Sequence, residues 1–295
     1  MKIVEFLSEL RSLGIQIFLE GERLLCNAPE GILTPELRTE ITQHKSEIIS
    51  FLKSTSCTNS YTYAPIIPIG KNGNIPLSFA QQRLWFLDQL VPNNPFYNVP
   101  AALRLTGSLN LVALEQTFKE IVRRHEALRT TFAAVEGKPV QKIAAKFSLA
   151  MPLIDLISLP KYQQEIEVKN IVTQEAQHYF NLSSDLLIRV KLLRLAETEY
   201  LLIINLHHIV SDGWSIGVLI KEIGALYTAF SNNKPSPLPE LPIQYADFAH
   251  WQRELLKGKE LEIQLAYWRQ QLAGISILNL PSDRPRPVVQ SYRGG

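Results

Sequence analysis

Apolar residues recur along the first 53 positions with two different periods. Ile3, Leu7 and Leu10 share one helical stripe that ends at Gly14, a residue able to close a helix in the left-handed conformation. Two short apolar runs follow, Ile15-Gln16-Ile17-Phe18-Leu19 and Arg23-Leu24-Leu25-Cys26. Between them stands Glu20-Gly21-Glu22, which predicts a hairpin turn. Thr34-Pro35-Glu36 then supplies a capping hydroxyl, a proline whose ring pre-sets the first helical residue, and an early acid. Leu37, Ile41, Ile48 and Leu52 continue at helical spacing, so a second helix is expected to close the unit. A core this small is marginal by area, which makes binding its expected trade and a partner or a second copy its expected support.

The pattern breaks at residues 54–74, where Ser54 to Ser60 are polar and Pro65, Pro68, Gly70 and Gly73 punctuate the rest, as in a linker. Beyond it, helical stripes such as Leu114, Phe118, Ile121 and Val122 alternate with strand-like runs. Ala101-Ala102-Leu103-Arg104-Leu105 is one such run, and Tyr200-Leu201-Leu202-Ile203-Ile204-Asn205-Leu206 another. The expected fold class is therefore α/β (α+β), with helices and strands in layers. Proline clusters at Lys234–Pro239 and Pro281–Pro287 mark loops.

Composition narrows the functional classes. The chain has 295 residues, 46% of them hydrophobic, enough to build one large core or two smaller ones. Its 30 basic and 28 acidic residues leave a net charge of +2 without clustering, so no electrostatic footprint for nucleic acid is expected. Cys26 and Cys57 show no ligand spacing and fit a reducing compartment. Glu5 and Glu9 interrupt what a signal peptide needs as an apolar core, and no run approaches the ~18 apolar residues of a membrane span; a cytoplasmic location is expected.

The sharpest feature is Leu206-His207-His208-Ile209-Val210-Ser211-Asp212-Gly213-Trp214-Ser215, between the apolar strand and a helix running through Ile216, Leu219, Ile220, Ile223 and Phe230. Adjacent histidines leaving a strand point to opposite sides, so one can face a cavity while packing or backbone holds the other. Gly213 allows an unusual backbone angle or a close approach by a ligand. Three readings compete. The first is a metal site of two histidines and a carboxylate, which diverging side chains disfavour. The second is a pair of satisfied polar residues. The third is proton transfer or positioning by one imidazole, whose ordinary pKa of about 6.5 suits neutral pH.

The motif resembles one from the condensation domains of nonribosomal peptide synthetases, which share a fold with chloramphenicol acetyltransferase. Three more segments resemble that family's motifs in the same order: Leu77–Leu87 continuing into Tyr97-Asn98-Val99-Pro100, Arg124–Phe132, and Tyr245–Trp251. Residues 1–53 resemble a tubulysin-type N-terminal docking domain. The resemblance implies a docking unit over 1–53, a linker over 54–74 and, over 75–295, the N-terminal lobe of a condensation domain with a mixed sheet flanked by helices. The second lobe is expected to be missing, so that the fragment alone would be an incomplete acyltransferase or a non-catalytic scaffold. Phe180-Asn181-Leu182 departs from the family's Phe-Asp-Leu, a change expected to be tolerated.

The implied reaction joins an acceptor aminoacyl amine to a donor acyl thioester. Both substrates ride on the 4'-phosphopantetheine arms of partner carrier domains, with no cofactor or metal bound by this chain. His208 would deprotonate or orient the amine, His207 and Asp212 would complete the catalytic set with it, and Gly213 would line the tunnel. Asp212 would pair with an arginine, Arg129 or Arg83, while Ser211 and Trp214 support the loop. Trp85, Trp214 and Trp251 are expected as core anchors and His125 as structural. Arg23, Leu24 and Leu25 on the hairpin would receive the C-terminal tail of an upstream subunit, and the docking unit could form a homodimer. Tyr97-Asn98-Val99-Pro100 and Arg124-His125-Glu126 resemble the subtype joining an L-configured donor to an L-configured acceptor. A free-standing enzyme using coenzyme A is the third reading, against which the docking-like N-terminus argues.

Overall fold

The computed structural model describes residues 6–7, 10, 15–20, 23–29, 32–56, 64–70, 73–276, 278, 281 and 283–285. Ile3, Gly14 and Cys57 lie outside them, as do the Gly21-Glu22 turn and the side chains of Arg23 and Leu52. The chain divides into two compact units, Met1–Ala64 and Pro65–Gly295.

In the first unit Phe6 is helical, and so are Leu7 and Leu10, as their spacing predicts. The hairpin forms from β1 (Gln16–Glu20) and β2 (Arg23–Asn27), antiparallel with Glu20 opposite Arg23. Thr34 caps the following helix by accepting from Leu37 N at 3.3 Å, and Pro35 opens it. The single helix expected here is two, α1 (Pro35–Gln43) and α2 (Lys45–Ser56), with His44 between them at φ −89° and ψ 9°. The hydroxyls of Thr39 and Thr42 donate back to Pro35 O (2.9 Å) and Arg38 O (2.7 Å), a competition with the helical ladder that bends helices. Phe6, Leu10, Ile15, Ile41 and Ile48 are buried together and form the unit's core.

The second unit is built on a mixed four-stranded sheet in the order β4-β9-β8-β7, made of β4 (Asn98–Thr106), β7 (Leu153–Asp155), β8 (Ile188–Ala196) and β9 (Glu199–His207). Only β7 runs parallel to its neighbour. A smaller sheet joins β3 (Ile75–Pro76), β6 (Lys138–Ile143) and β5 (Thr130–Val135). The helices are α3 (Phe79–Leu90), α4 (Leu111–Arg124), α5 (Lys161–Ala176), α6 (Gly213–Ser231), α7 (Tyr245–Leu255) and α8 (Gly258–Gln271).

Strand β9 explains the layering. It reads as an unbroken apolar run because both faces are covered, where a half-exposed strand would alternate. Leu202, Ile204 and Leu206 pack with Leu114, Phe118, Ile121 and Val122 of α4 and Leu226 of α6. Leu201 and Ile203 face the other way, onto Ile171 of α5 and Leu193 of β8. A third cluster, with Leu84 of α3, Phe132 of β5, Phe180 and Ile209, closes the end of the sheet where β9 stops. The Ser78-Phe79-Ala80-Gln81 start of α3 is a reciprocal cap: Gln81 N donates to Ser78 Oγ (3.1 Å) and Ser78 N to Gln81 Oε1 (3.0 Å).

Candidate active site

Strand β9 carries its last residue, His207, into the protein and releases His208 at the surface. His207 is 3% exposed. Its Nδ1 accepts from Ile209 N at 3.1 Å, which in the neutral ring places the proton on Nε2. The Phe180 ring meets it edge-on with centroids 6.0 Å apart, and Tyr97 flanks it at 6.3 Å. Burial, and secondarily the neighbouring His208, pushes its pKa down to about 4. His207 is thus a neutral packing group at physiological pH.

His208 is held twice by backbone. Its N–H donates to Tyr97 O at 2.7 Å, and its Nδ1 lies 2.6 Å from Ser211 O. A carbonyl only accepts, so Nδ1 carries the proton and the neutral ring keeps its lone pair on Nε2, on an exposed side chain. Ser211 is buried and donates to His207 O at 3.2 Å, which tightens the same turn.

Asp212 ends the loop as the N-cap of α6. Its Oδ1 accepts from Ser215 N (2.8 Å) and Ser215 Oγ (2.6 Å), and these bonds hold its carboxyl below the usual carboxylate range. The expected pairing with arginine is not formed. Arg129 Nη1 donates to Ala144 O and its Nη2 lies 3.4 Å from Glu126 Oε1, while Arg83 stands on the exposed side of α3. The reason is geometric: a cap geometry turns the Asp212 carboxylate inward onto the first turn of α6, where the two Ser215 donors already occupy it.

Gly213 opens α6 without a positive φ, and a Cβ there would meet nothing within 4 Å. Of its two expected uses, an unusual backbone angle is therefore excluded. Trp214 is 84% exposed, so it is no core anchor: as the second residue of α6 it falls on the side facing solvent. Trp85 does pack against the cluster around Phe132, and Trp251 stacks at 5.9 Å on Phe248. His125 is tied at 2.8 Å through Nε2 to Glu222 Oε2, and Arg124 contacts the same carboxylate.

A cavity of about 430 Å³ lies beside the loop, on the side of α4 and α6. Its walls are mostly apolar, among them Leu128, Val210, Val218 and Phe248, and Ser211, Trp214 and Ser215 of the loop line one side. Among the described residues, no group of three or more His, Cys, Asp or Glu is placed to hold a metal ion, and no helix is long and apolar enough to cross a membrane.

Leu24 of the hairpin packs against the first unit's core, and Leu25, next along β2, is half-buried. Of Arg23 the structure describes the backbone position, opposite Glu20. Asn181, where an aspartate is usual in the resembled family, accepts through Oδ1 from Ser183 N (3.0 Å) and Ser183 Oγ (2.7 Å). These bonds use an oxygen that either side chain offers. Tyr97 O, Phe180 and Asn98 also belong to the site, beyond the residues expected from sequence. The Tyr97-Asn98-Val99-Pro100 pattern was the signal for the first and last of these, and Phe180-Asn181-Leu182 for Phe180.

The second unit is thus an α/β lobe with a strand-end imidazole loop beside an apolar cavity. Residues 71–295 match the family model "Condensation domain", and the chain belongs to that family. Residues 3–54 match "TubC N-terminal docking domain". A linear gramicidin synthase of Brevibacillus parabrevis is 46% identical over 234 residues, which cover 79% of this chain and 4% of that protein. The solved X-domain in complex with OxyB from teicoplanin biosynthesis superposes with a TM-score of 0.70 at 27% identity, over 80% of this chain and 51% of its own. The EpoB cyclization-docking bidomain from Sorangium cellulosum shares the fold over 93% of this chain and 53% of its own, with TM-score 0.61 and 24% identity. The chain thus spans about half the length of these solved structures and a small fraction of the synthase.

Proposed function

We propose that this chain forms amide bonds between carrier-bound substrates, with His208 as the proton acceptor, and that its first unit docks an upstream synthetase subunit. One observation carries the catalytic reading: Ser211 O fixes the proton on Nδ1 of His208, so that Nε2 presents a lone pair at an exposed position. The acceptor's amine nitrogen attacks the donor's thioester carbonyl carbon. The C–N bond forms, the C–S bond breaks, and the nitrogen's surplus proton passes to His208 Nε2 and on to the departing thiolate. An α-amino group has a pKa of about 7.7–8.0, so an appreciable fraction of it is already nucleophilic near neutrality and the histidine's demand is modest. Holding two tethered substrates in attack geometry supplies the larger share of the rate.

The substrates arrive on the phosphopantetheine arms of donor and acceptor carrier domains, and the hairpin residues Arg23, Leu24 and Leu25 receive the upstream subunit's C-terminal tail. Gly213 serves this reading by leaving space for a substrate to approach the start of α6. The test is dipeptide formation by the synthetase containing this chain, given loaded carriers. His208→Ala is expected to lower the single-turnover rate about 100-fold without abolishing it. A rate within twofold of the parent's would overturn the assignment.

A further inference from the structure

Two asparagines on adjacent strands, neither used by the proposed reaction, grip the same helix end. Asn205 of β9 is fully buried and its Nδ2 donates to Glu175 O at 2.6 Å. Asn98, first residue of β4 and register partner of His207, donates from Nδ2 to Ala176 O (2.8 Å) and His178 O (2.6 Å). A helix leaves its last carbonyls without partners in its own ladder, and here the last two carbonyls of α5 and that of His178 just past it are met by two side chains of the sheet. Because carbonyls only accept, the amide nitrogens must face the helix. The Glu175 side chain anchors that end a second time, through Arg189 (3.0 Å) and Lys191 (2.6 Å) of β8. Burial alone would raise its pKa, but these cations outweigh it and hold the carboxyl below the usual range.

What the grip holds in place is the histidine loop. Just past α5 the chain delivers Phe180, whose ring edge packs on His207. On the other side of Asn98 stands Tyr97, whose carbonyl accepts the His208 N–H and whose ring flanks His207. Asn98 therefore joins, through its side chain and its neighbour's carbonyl, the two segments that wall the turn carrying His208. An isosteric aspartate would put an oxygen in the place of Nδ2, facing the carbonyls of Ala176 and His178, and alanine would remove the donor that both share.

We propose that Asn98 is a positioning residue for His208, tying the end of α5 to the start of β4 so that Phe180, Tyr97 and the turn from His207 to Ile209 keep one arrangement; Asn205 is the second strap. The inference rests on the reading of His208 as the proton acceptor, but its test measures the turn rather than turnover.

Amide hydrogen exchange of the whole chain is compared between parent, Asn98→Ala and Asn98→Asp. The His208 and Ile209 amides are expected to exchange about tenfold faster in both variants, while Leu202 to Ile204 in mid-strand keep the parent's protection. The His207 ring, followed by NMR titration, is expected to bind protons about tenfold more readily in Asn98→Ala, which adds no charge, because water reaches a loosened ring. Asn98→Ser keeps one donor and should recover part of both effects; it also serves as the reporter should Asn98→Ala fail to fold. Unchanged exchange at His208 and Ile209, or acceleration shared equally by Leu202 to Ile204, overturns the proposal. So does a titration shift confined to Asn98→Asp, which would be charge alone. These outcomes are independent of whether His208→Ala slows peptide formation.

Discussion

Consecutive histidines with the same side chain receive opposite surroundings from the end of one strand. His207 lies buried among Phe180 and Tyr97 rings and is held neutral, with a pKa of about 4. The unfolded chain binds a proton at this site near pH 6.5, so between pH 6.5 and 4 the unfolded state holds more protons than the native one, and stability falls as the pH drops. The full loss is about 3 kcal/mol. The carboxylates of Glu175 and Glu222 are held below their usual range, so their contributions fade only at more acid pH. Urea unfolding at pH 7.5 and 5.0 should show a lower midpoint at pH 5.0. His207→Asn, whose side-chain oxygen can accept from Ile209 N, should lose most of that difference. An equal slope in both proteins would count against His207 as its source. The divergence of the two rings was legible in the sequence, because neighbours in a strand alternate. Alternation alone left open which ring is buried, since that depends on Phe180 and Tyr97 closing over one side.

At the scale of elements, the start of α6 shows how a local bond displaces a longer-range one. The capping bonds from Ser215 span three residues and form within the loop itself, whereas a pairing with Arg129 or Arg83 would close a loop of some eighty residues or more. Asp212→Ala is expected to cost about 1 kcal/mol, or roughly 2–4 °C in melting temperature. In a double-mutant cycle Asp212 should couple to Ser215 and not to Arg129. A measurable coupling to Arg129 would restore the ion pair. Elements with a clear period were readable from sequence: the hairpin strands and β9 fall within a residue of their expected runs, and the α4 stripe lies inside its helix. The interruption at His44 was not, because a single residue at φ −89° and ψ 9° breaks the helix without disturbing the apolar spacing on either side. Nor was the clasp of Asn98 on the end of α5, where partners 78 and 80 residues apart meet only once the sheet has formed.

Over the whole molecule, a near-neutral total hides two differently charged parts. Residues 1–53 hold six basic and eight acidic side chains, net −2, which leaves +4 on the remainder of a chain whose sum is +2. Each unit also has its own apolar core, with Ile48 and Leu10 in one and Phe118 and Leu192 in the other. Separate cores allow recognition and chemistry to be altered one at a time, which gives the proposed division of labour a strict test. Calorimetry of the chain against C-terminal tail peptides of candidate upstream subunits should show Arg23→Glu or Leu25→Asp weakening binding at least tenfold, equivalent to about 1.4 kcal/mol. The same variants should form peptide at the parent's rate when loaded carriers are supplied at saturating concentration, because the docking unit raises the encounter of partners and takes no part in the attack on the thioester. His208→Ala should show the reverse, with unchanged tail binding and slowed peptide formation. If Arg23→Glu lowered the saturated rate as far as His208→Ala does, the two units would be one machine and the separation argued from their cores and charges would be wrong.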